Sequence, residues 1–166
     1  FLNDEAMKAA GLFLVFMDRY HQPGTGFDSV SGKDAKQVAD AQRVLSLIAT
    51  YDRGPGTLAR VLDAHGDCPY AAVLYDHLLR FLRERGDHQG SVATAEAFRE
   101  RYPDHPSAPS MLTEVVESWR LAGSTKRMRD AMEAAVEAHS GLDGMASLDR
   151  QVRRRVMGYL RTLGVW

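Results

Sequence analysis

Proline constrains this chain more than any other residue type, because a proline inside a helix costs about 3 kcal/mol. Between the prolines, apolar residues recur three and four places apart, which is the spacing of one helical face. No segment alternates apolar and polar residues between hairpin turns, as a half-buried strand would. The prolines therefore mark joints in an all-α chain, predicted to have about eight helices. The joints lie at Pro23, Pro55, Pro69, Pro103, Pro106 and Pro109.

Residues typical of helix ends occur where the pattern breaks. Pro55 suits the first turn of a helix. Side-chain oxygens are expected to cap three helices at their N-termini, from Asp34, Ser107 and Ser124. Glycines are expected to end three helices, at Gly86, Gly123 and Gly141.

The apolar pattern also repeats along the chain. The set Ala41, Val44, Leu45 and Ile48 recurs 34 residues later as Tyr75, Leu78, Leu79 and Leu82. It recurs after a further 37 residues as Leu112, Val115, Val116 and Trp119. The three additional residues fit an insertion at 106–108. The spacing predicts three helical hairpins over 38–71, 72–105 and 109–142, preceded by a helix and loop over 1–33 and followed by a helix over 146–164.

A helix–turn–helix unit of this length resembles the tetratricopeptide repeat (TPR). In the unit 72–105, the apolar positions, the Gly86-Asp87 turn, Ser91 and Pro103 match that family. The other two units match less fully, because one has a short second helix and the other lacks the final proline. The resemblance covers about 105 residues, the length of three repeats. It implies a TPR-like α-solenoid, in which each hairpin buries its apolar face against the next.

The two terminal helices differ in character. The last helix has apolar residues on one face and arginines on the other, as expected of a capping helix; the inward residues are Val152, Val156, Tyr159 and Leu160, and the outward ones Arg150, Arg153, Arg154 and Arg161. The first helix is apolar on more than one side, with Leu12, Phe13, Val15 and Phe16 spread around it. It is therefore expected to pack between two neighbours or against an upstream repeat.

A junction with three prolines suggests a cellular setting. Residues 97–109 resemble a junction in TPR proteins of Gram-negative envelopes. That likeness favours the periplasm or cell envelope over the cytoplasm, although cytoplasmic members share the motif. Because the chain begins at Phe1 rather than Met, it is expected to be part of a longer protein.

The resemblance also implies a binding site. In the TPR family, ligands usually occupy the concave groove formed by the first helices of successive units. The matching charged and polar positions here are Asp76, Arg80, Arg83, Glu84, Thr113, Glu117 and Arg120. Mixed charges suit a peptide or partner helix bound through charge-assisted hydrogen bonds. The expected function is a noncatalytic scaffold that assembles a multiprotein complex, while a merely solvated face remains the alternative for each residue. The groove has no Lys or Asn, which disfavours a co-chaperone that clamps terminal carboxylates.

Other classes of function find less support. No nucleic-acid partner is expected, because the net charge is −1 and the basic run 153–155 comes without a recognition-helix signature. No apolar run approaches the roughly 20 residues needed to span a bilayer.

Cys68 is the only cysteine, so no internal disulfide forms, and it is expected to be a small buried apolar residue. The six histidines lack metal-ligand spacing, and Glu114 and Glu117 are expected to be helix-surface neighbours. We therefore expect no cofactor, no metal and no catalytic residue.

Two further alternatives remain. The chain could be a helical regulatory bundle that binds a small molecule in a closed apolar cavity lined by Phe13, Phe16, Tyr75 and Leu79. An enzyme would require a pocket with converging titratable groups.

Overall fold

The helices follow the stretches between prolines and glycines that the sequence marks out. A computed structural model of the chain describes residues 4–140 and 142–164, with only the backbone of Leu142 described. Over these ranges there are nine helices and no strand, apart from an isolated bridge between Gln22 and Gly26. The all-α prediction is confirmed. The helices are α1 (Asp4–Asp18), α2 (Gly32–Thr50), α3 (Pro55–His65), α4 (Ala71–Glu84), α5 (His88–Arg101), α6 (Ala108–Leu121), α7 (Thr125–Ala138), α8 (Leu142–Ser147) and α9 (Arg150–Leu163).

The chain divides into two compact units between Arg85 and Gly86. The first unit contains α1 to α4 and the second contains α5 to α9. This boundary falls inside the predicted hairpin 72–105, at its expected turn. The stacking of three hairpins into one solenoid therefore stays a prediction.

In the first unit, α2 packs against α1, α3 and α4. The apolar stripe of α4 is fully buried, as its spacing predicts, with Tyr75, Leu78 and Leu79 at most 1% exposed. Small residues on α2 allow the close approach of α4, since Ser46 and Ala49 are also buried. The core of this unit therefore lies between α2 and its three neighbours, and α3 contributes Leu58, Val61 and Leu62 to it.

In the second unit, α6 packs against α5, α7 and α9. The terminal helix α9 buries Val152 and Val156 together with Leu148, and Val136 and Tyr159 pack around them. Four arginines of α9 are exposed, at Arg150, Arg153, Arg154 and Arg161. The prediction of an amphipathic terminal helix is thus confirmed.

The predicted helix ends are partly right. Pro55 lies in the first turn of α3. Gly86 and Gly123 follow α4 and α6 with φ of 81° and 69°, a left-handed conformation that glycine adopts without strain. Gly141 lies outside the described residues.

Three other predictions about helix ends are corrected. Asp34 is not an N-cap, because α2 already begins at Gly32, after Ser31. Ser107 and Ser124 occupy N-cap positions, but neither side chain makes a capping hydrogen bond. The terminal segment contains two helices rather than one, because Asp149 interrupts it and accepts hydrogen bonds from the backbone N–H groups of Gln151 and Val152.

Candidate protein-binding surfaces

Helix α4 presents a charged face opposite its buried stripe. On it, Asp76 and Arg80 form an ion pair of 2.8 Å and are 38% and 52% exposed. Glu84 is exposed and Arg83 is half-buried near the end of the helix. The face begins with an apolar residue, Val73, which is 41% exposed. All four residues that the sequence assigns to a groove in this part of the chain therefore lie on one helix face and are at least partly exposed.

Helix α6 presents a smaller charged face in the second unit. The Arg120 guanidinium donates two hydrogen bonds of 2.7 Å to the Glu117 carboxylate. This hydrogen-bonded pairing raises the pKa of Arg120 above its usual value. Leu121 follows it and is 47% exposed. Two of the three residues predicted for this helix are therefore accessible.

Thr113, the third residue, is not accessible. It is 1% exposed, and its hydroxyl accepts a hydrogen bond of 2.9 Å from Arg155 of α9. A side chain covered in this way cannot contact a partner. The reason is that α9 packs onto the face of α6 that carries Thr113.

Glu114 is likewise buried rather than on the helix surface, which corrects a second expectation. Its side chain is 7% exposed, and Oε1 lies 2.9 Å from Nη1 of Arg155. The interaction raises the pKa of the Arg155 guanidinium. Arg155 thus joins two buried polar groups of α6 to the terminal helix. Its position in the run 153–155 gives no sign of this, because the other two arginines of the run, Arg153 and Arg154, are exposed.

A second buried polar contact joins α2 to α4. The Ser46 hydroxyl and His77 Nδ1 are 2.8 Å apart. Burial lowers the pKa of His77, against the opposing effect of Asp76 and Glu84. Ser46 is 3% exposed, which leaves no room for a substrate to reach its hydroxyl. The hydrogen bond between the two side chains therefore stabilises the packing of α2 against α4.

The closed apolar cavity expected for a small-molecule bundle does not form from its predicted residues. Phe13 and Phe16 line an open groove of about 510 Å³ between α1 and α2. Tyr75 and Leu79 are buried in the core and do not border it.

Helix α1 carries two exposed aliphatic residues. Leu12 is 70% exposed and Val15 is 48% exposed. A second groove, of about 660 Å³, lies between α1 and α3 and is bordered by both residues. The expectation that α1 is apolar on more than one side is confirmed.

A polar network fixes the end of α1 below this exposed face. The single hydroxyl proton of Tyr70 has two acceptors in reach, Leu14 O at 2.9 Å and Asp18 Oδ1 at 2.6 Å. The other oxygen of Asp18 lies 3.0 Å from Nε2 of His65. Burial raises the pKa of Tyr70, which keeps the phenol protonated as a donor. Helix α1 is thus held to α3 and to the start of α4.

The remaining candidate groups show no reactive arrangement. Cys68 is half-buried, and desolvation raises its pKa to about 11, so that the thiol is protonated at neutral pH. Within the described ranges, no three residues among His, Cys, Asp and Glu are placed to hold a metal ion. No described helix has the length and apolar character to cross a bilayer.

Comparison with family models, curated proteins and solved structures finds no match to this chain.

Proposed function

We propose that this chain is a noncatalytic protein-binding module of the TPR type that helps to assemble a larger complex, in a bacterial envelope. The observation that supports this function best is the charged face of α4. There, Asp76 and Arg80 are accessible on a helix whose other side is buried. Because that helix is already formed and packed, little backbone entropy is lost when a partner binds to this face.

The chemistry of the two faces indicates the kind of partner. Each combines an acid–base pair with one exposed apolar residue, Val73 on α4 and Leu121 on α6. Such a face suits a peptide or helix that carries charges of both signs beside an apolar side chain. Because the faces belong to different compact units, each is proposed as a contact surface in its own right.

The test inverts each ion pair without removing it. One variant combines Asp76→Arg with Arg80→Asp, and the other combines Glu117→Arg with Arg120→Glu. Each keeps two opposite charges on neighbouring turns but exchanges their positions, so helix stability should change little. Peptides selected from a random display library against the wild-type chain provide the probe, with binding measured by fluorescence anisotropy. We expect at least one swap to weaken the selected peptides about tenfold or more, which corresponds to about 1.4 kcal/mol.

The matched control swaps an ion pair on a face that the proposal does not use. Arg129 and Glu133 of α7 lie 3.4 Å apart and are 60% and 58% exposed. Arg129→Glu with Glu133→Arg should therefore leave peptide binding unchanged. Wild-type affinity in both swap variants, or a selection that yields no binding peptide, would argue against the proposed function.

A specific observation also favours a second candidate, the binding of a small apolar molecule. The groove between α1 and α2 has a volume within the range of about 300–1,000 Å³ found for ligand sites, and Phe13 and Phe16 line it. It is open along one side, however, which leaves much of a bound molecule in water. The protein-binding function is therefore preferred.

A further inference from the structure

The exposed residues of α1 form a single stripe. Glu5, Lys8, Leu12 and Val15 are all exposed, and Arg19 continues the stripe in the turn that follows the helix. Their spacing alternates between three and four residues, which is the heptad spacing of helices that pair side by side. The buried residues of α1, Ala10, Leu14 and Met17, lie on the other side of the helix. Among the described residues of the first unit, none covers this stripe.

The stripe lies between the two apolar grooves described above. Leu12 borders both apolar grooves, the one between α1 and α2 and the one between α1 and α3. Gly11 lines the second groove, and a Cβ at this position would meet no atom within 4 Å, so another chain could approach the helix closely here. Most homodimers associate about a twofold axis, so that the same patch of each copy meets its equivalent.

The charges select the direction of such a pairing. Glu5 precedes Leu12 by seven residues, and Arg19 follows it by seven. In an antiparallel pair centred on Leu12, each Glu5 faces Arg19 of the second copy, and Val15 packs on the aliphatic part of Lys8. In a parallel pair, like charges would face each other at both ends. The intrahelical pair of Lys8 and Glu5 does not oppose this, because its side chains are 70% and 80% exposed and such pairs contribute little.

We infer that the chain forms an antiparallel homodimer through α1, with Leu12 on the twofold axis and Glu5–Arg19 ion pairs at both ends. This inference is independent of the charged faces of α4 and α6. The residues that form the interface are accessible, and the network of Tyr70, Asp18 and His65 holds the helix that presents them.

Sedimentation velocity over a range of concentrations measures the association directly. The wild-type chain should shift from 18.4 kDa towards twice that mass as its concentration rises. Leu12→Glu should abolish the shift, and the exposed position of Leu12 means that the variant still folds, as circular dichroism can verify. Tyr51→Glu, a change at an exposed residue that belongs to none of the proposed surfaces, should leave association unchanged. A chain that stays monomeric at several hundred micromolar, or a dimer that survives Leu12→Glu, overturns the inference.

Charge exchange and cross-linking test the direction. Glu5→Arg alone and Arg19→Glu alone should each weaken dimerisation, and the two changes together should restore it. In a Cys68→Ala background, a chain with Glu5→Cys mixed with a chain with Arg19→Cys should form the mixed disulfide on oxidation. Cross-links between two Glu5→Cys chains, or a double variant as weak as the single ones, would overturn the antiparallel arrangement.

Discussion

At the scale of single residues, burial separates side chains that look alike in the sequence. Glu114 and Glu117 lie one helical turn apart on α6, yet Glu114 is buried and Glu117 is at the surface. Likewise, Arg155 reaches a buried carboxylate, while its neighbour Arg154 remains exposed. Helical spacing predicts which apolar residues are buried, but it cannot identify these polar ones, because their environment depends on a helix about 40 residues away in sequence.

The contact of Arg155 with Glu114 should contribute measurably to stability. Arg155→Met leaves a buried carboxylate without its cation, and we expect the free energy of unfolding to fall by about 1–3 kcal/mol. Urea denaturation measures the change. Arg154→Met, on the exposed side of the same helix, should change stability by less than about 0.5 kcal/mol.

Because Arg155 and Glu114 interact, the losses of unfolding free energy in their single variants should not add in the double variant. In the double variant, Glu114→Met with Arg155→Met, no charge is left buried. Its loss of unfolding free energy should therefore be smaller than the sum of the losses in the two single variants. Strictly additive losses would show that the two side chains do not interact.

His77 should make stability depend on pH. Burial lowers its pKa below the ordinary value of 6.5, so the unfolded chain binds more protons than the folded chain as the pH falls below about 6.5. The free energy of unfolding should therefore decrease from pH 7 to pH 5, and His77→Gln should reduce that decrease. Urea denaturation at several pH values provides the measurement.

Part of the dependence should remain in that variant, because the pKa of His139 is lowered as well. His139→Gln should reduce the decrease in unfolding free energy between pH 7 and pH 5 by a separate amount. A His77→Gln variant with the full wild-type loss at pH 5 would contradict the effect assigned to His77.

At the scale of the helices, the sequence predicts most of the elements but not all of their ends. Apolar periodicity locates the helices, because it is a local property of each segment. The ends depend on whether a particular side chain reaches a backbone N–H. Asp149 does so at α9, whereas Ser107 and Ser124 do not, although Asp and Ser are both common caps.

This difference between caps can be measured. Asp149→Ala removes the acceptor for two backbone N–H groups at the start of α9, and we expect a loss of about 1 kcal/mol. Ser124→Ala removes no capping hydrogen bond and should change stability by less than about 0.5 kcal/mol. Thermal denaturation of the two variants under one set of conditions compares them. Equal losses would mean that the Asp149 hydrogen bonds do not stabilise α9.

At the scale of the whole chain, the period of 34 residues and the compact units do not coincide. The sequence repeat places α4 and α5 in one hairpin, whereas the division lies between them, at Gly86. A repeat identifies segments that share a helical pattern. It does not state which neighbour each segment packs against, because similar apolar stripes can bury themselves against different helices.

This division affects the candidate binding residues. Asp76, Arg80, Arg83 and Glu84 belong to the first unit, while Glu117 and Arg120 belong to the second. For this reason the two ion-pair swaps are made separately, so that each face is tested within its own unit.

By itself, the sequence determined the all-α class, the approximate positions of most helices and the buried apolar stripes, because amphipathic spacing and the prolines and glycines act within a single segment. Only the tertiary structure decided that Thr113 and Glu114 are covered, that His77 contacts Ser46, and that Leu12 remains exposed. These outcomes depend on which helices meet. Solvent exposure and hydrogen-bond partners are properties of the packed chain, and residues distant in sequence set them.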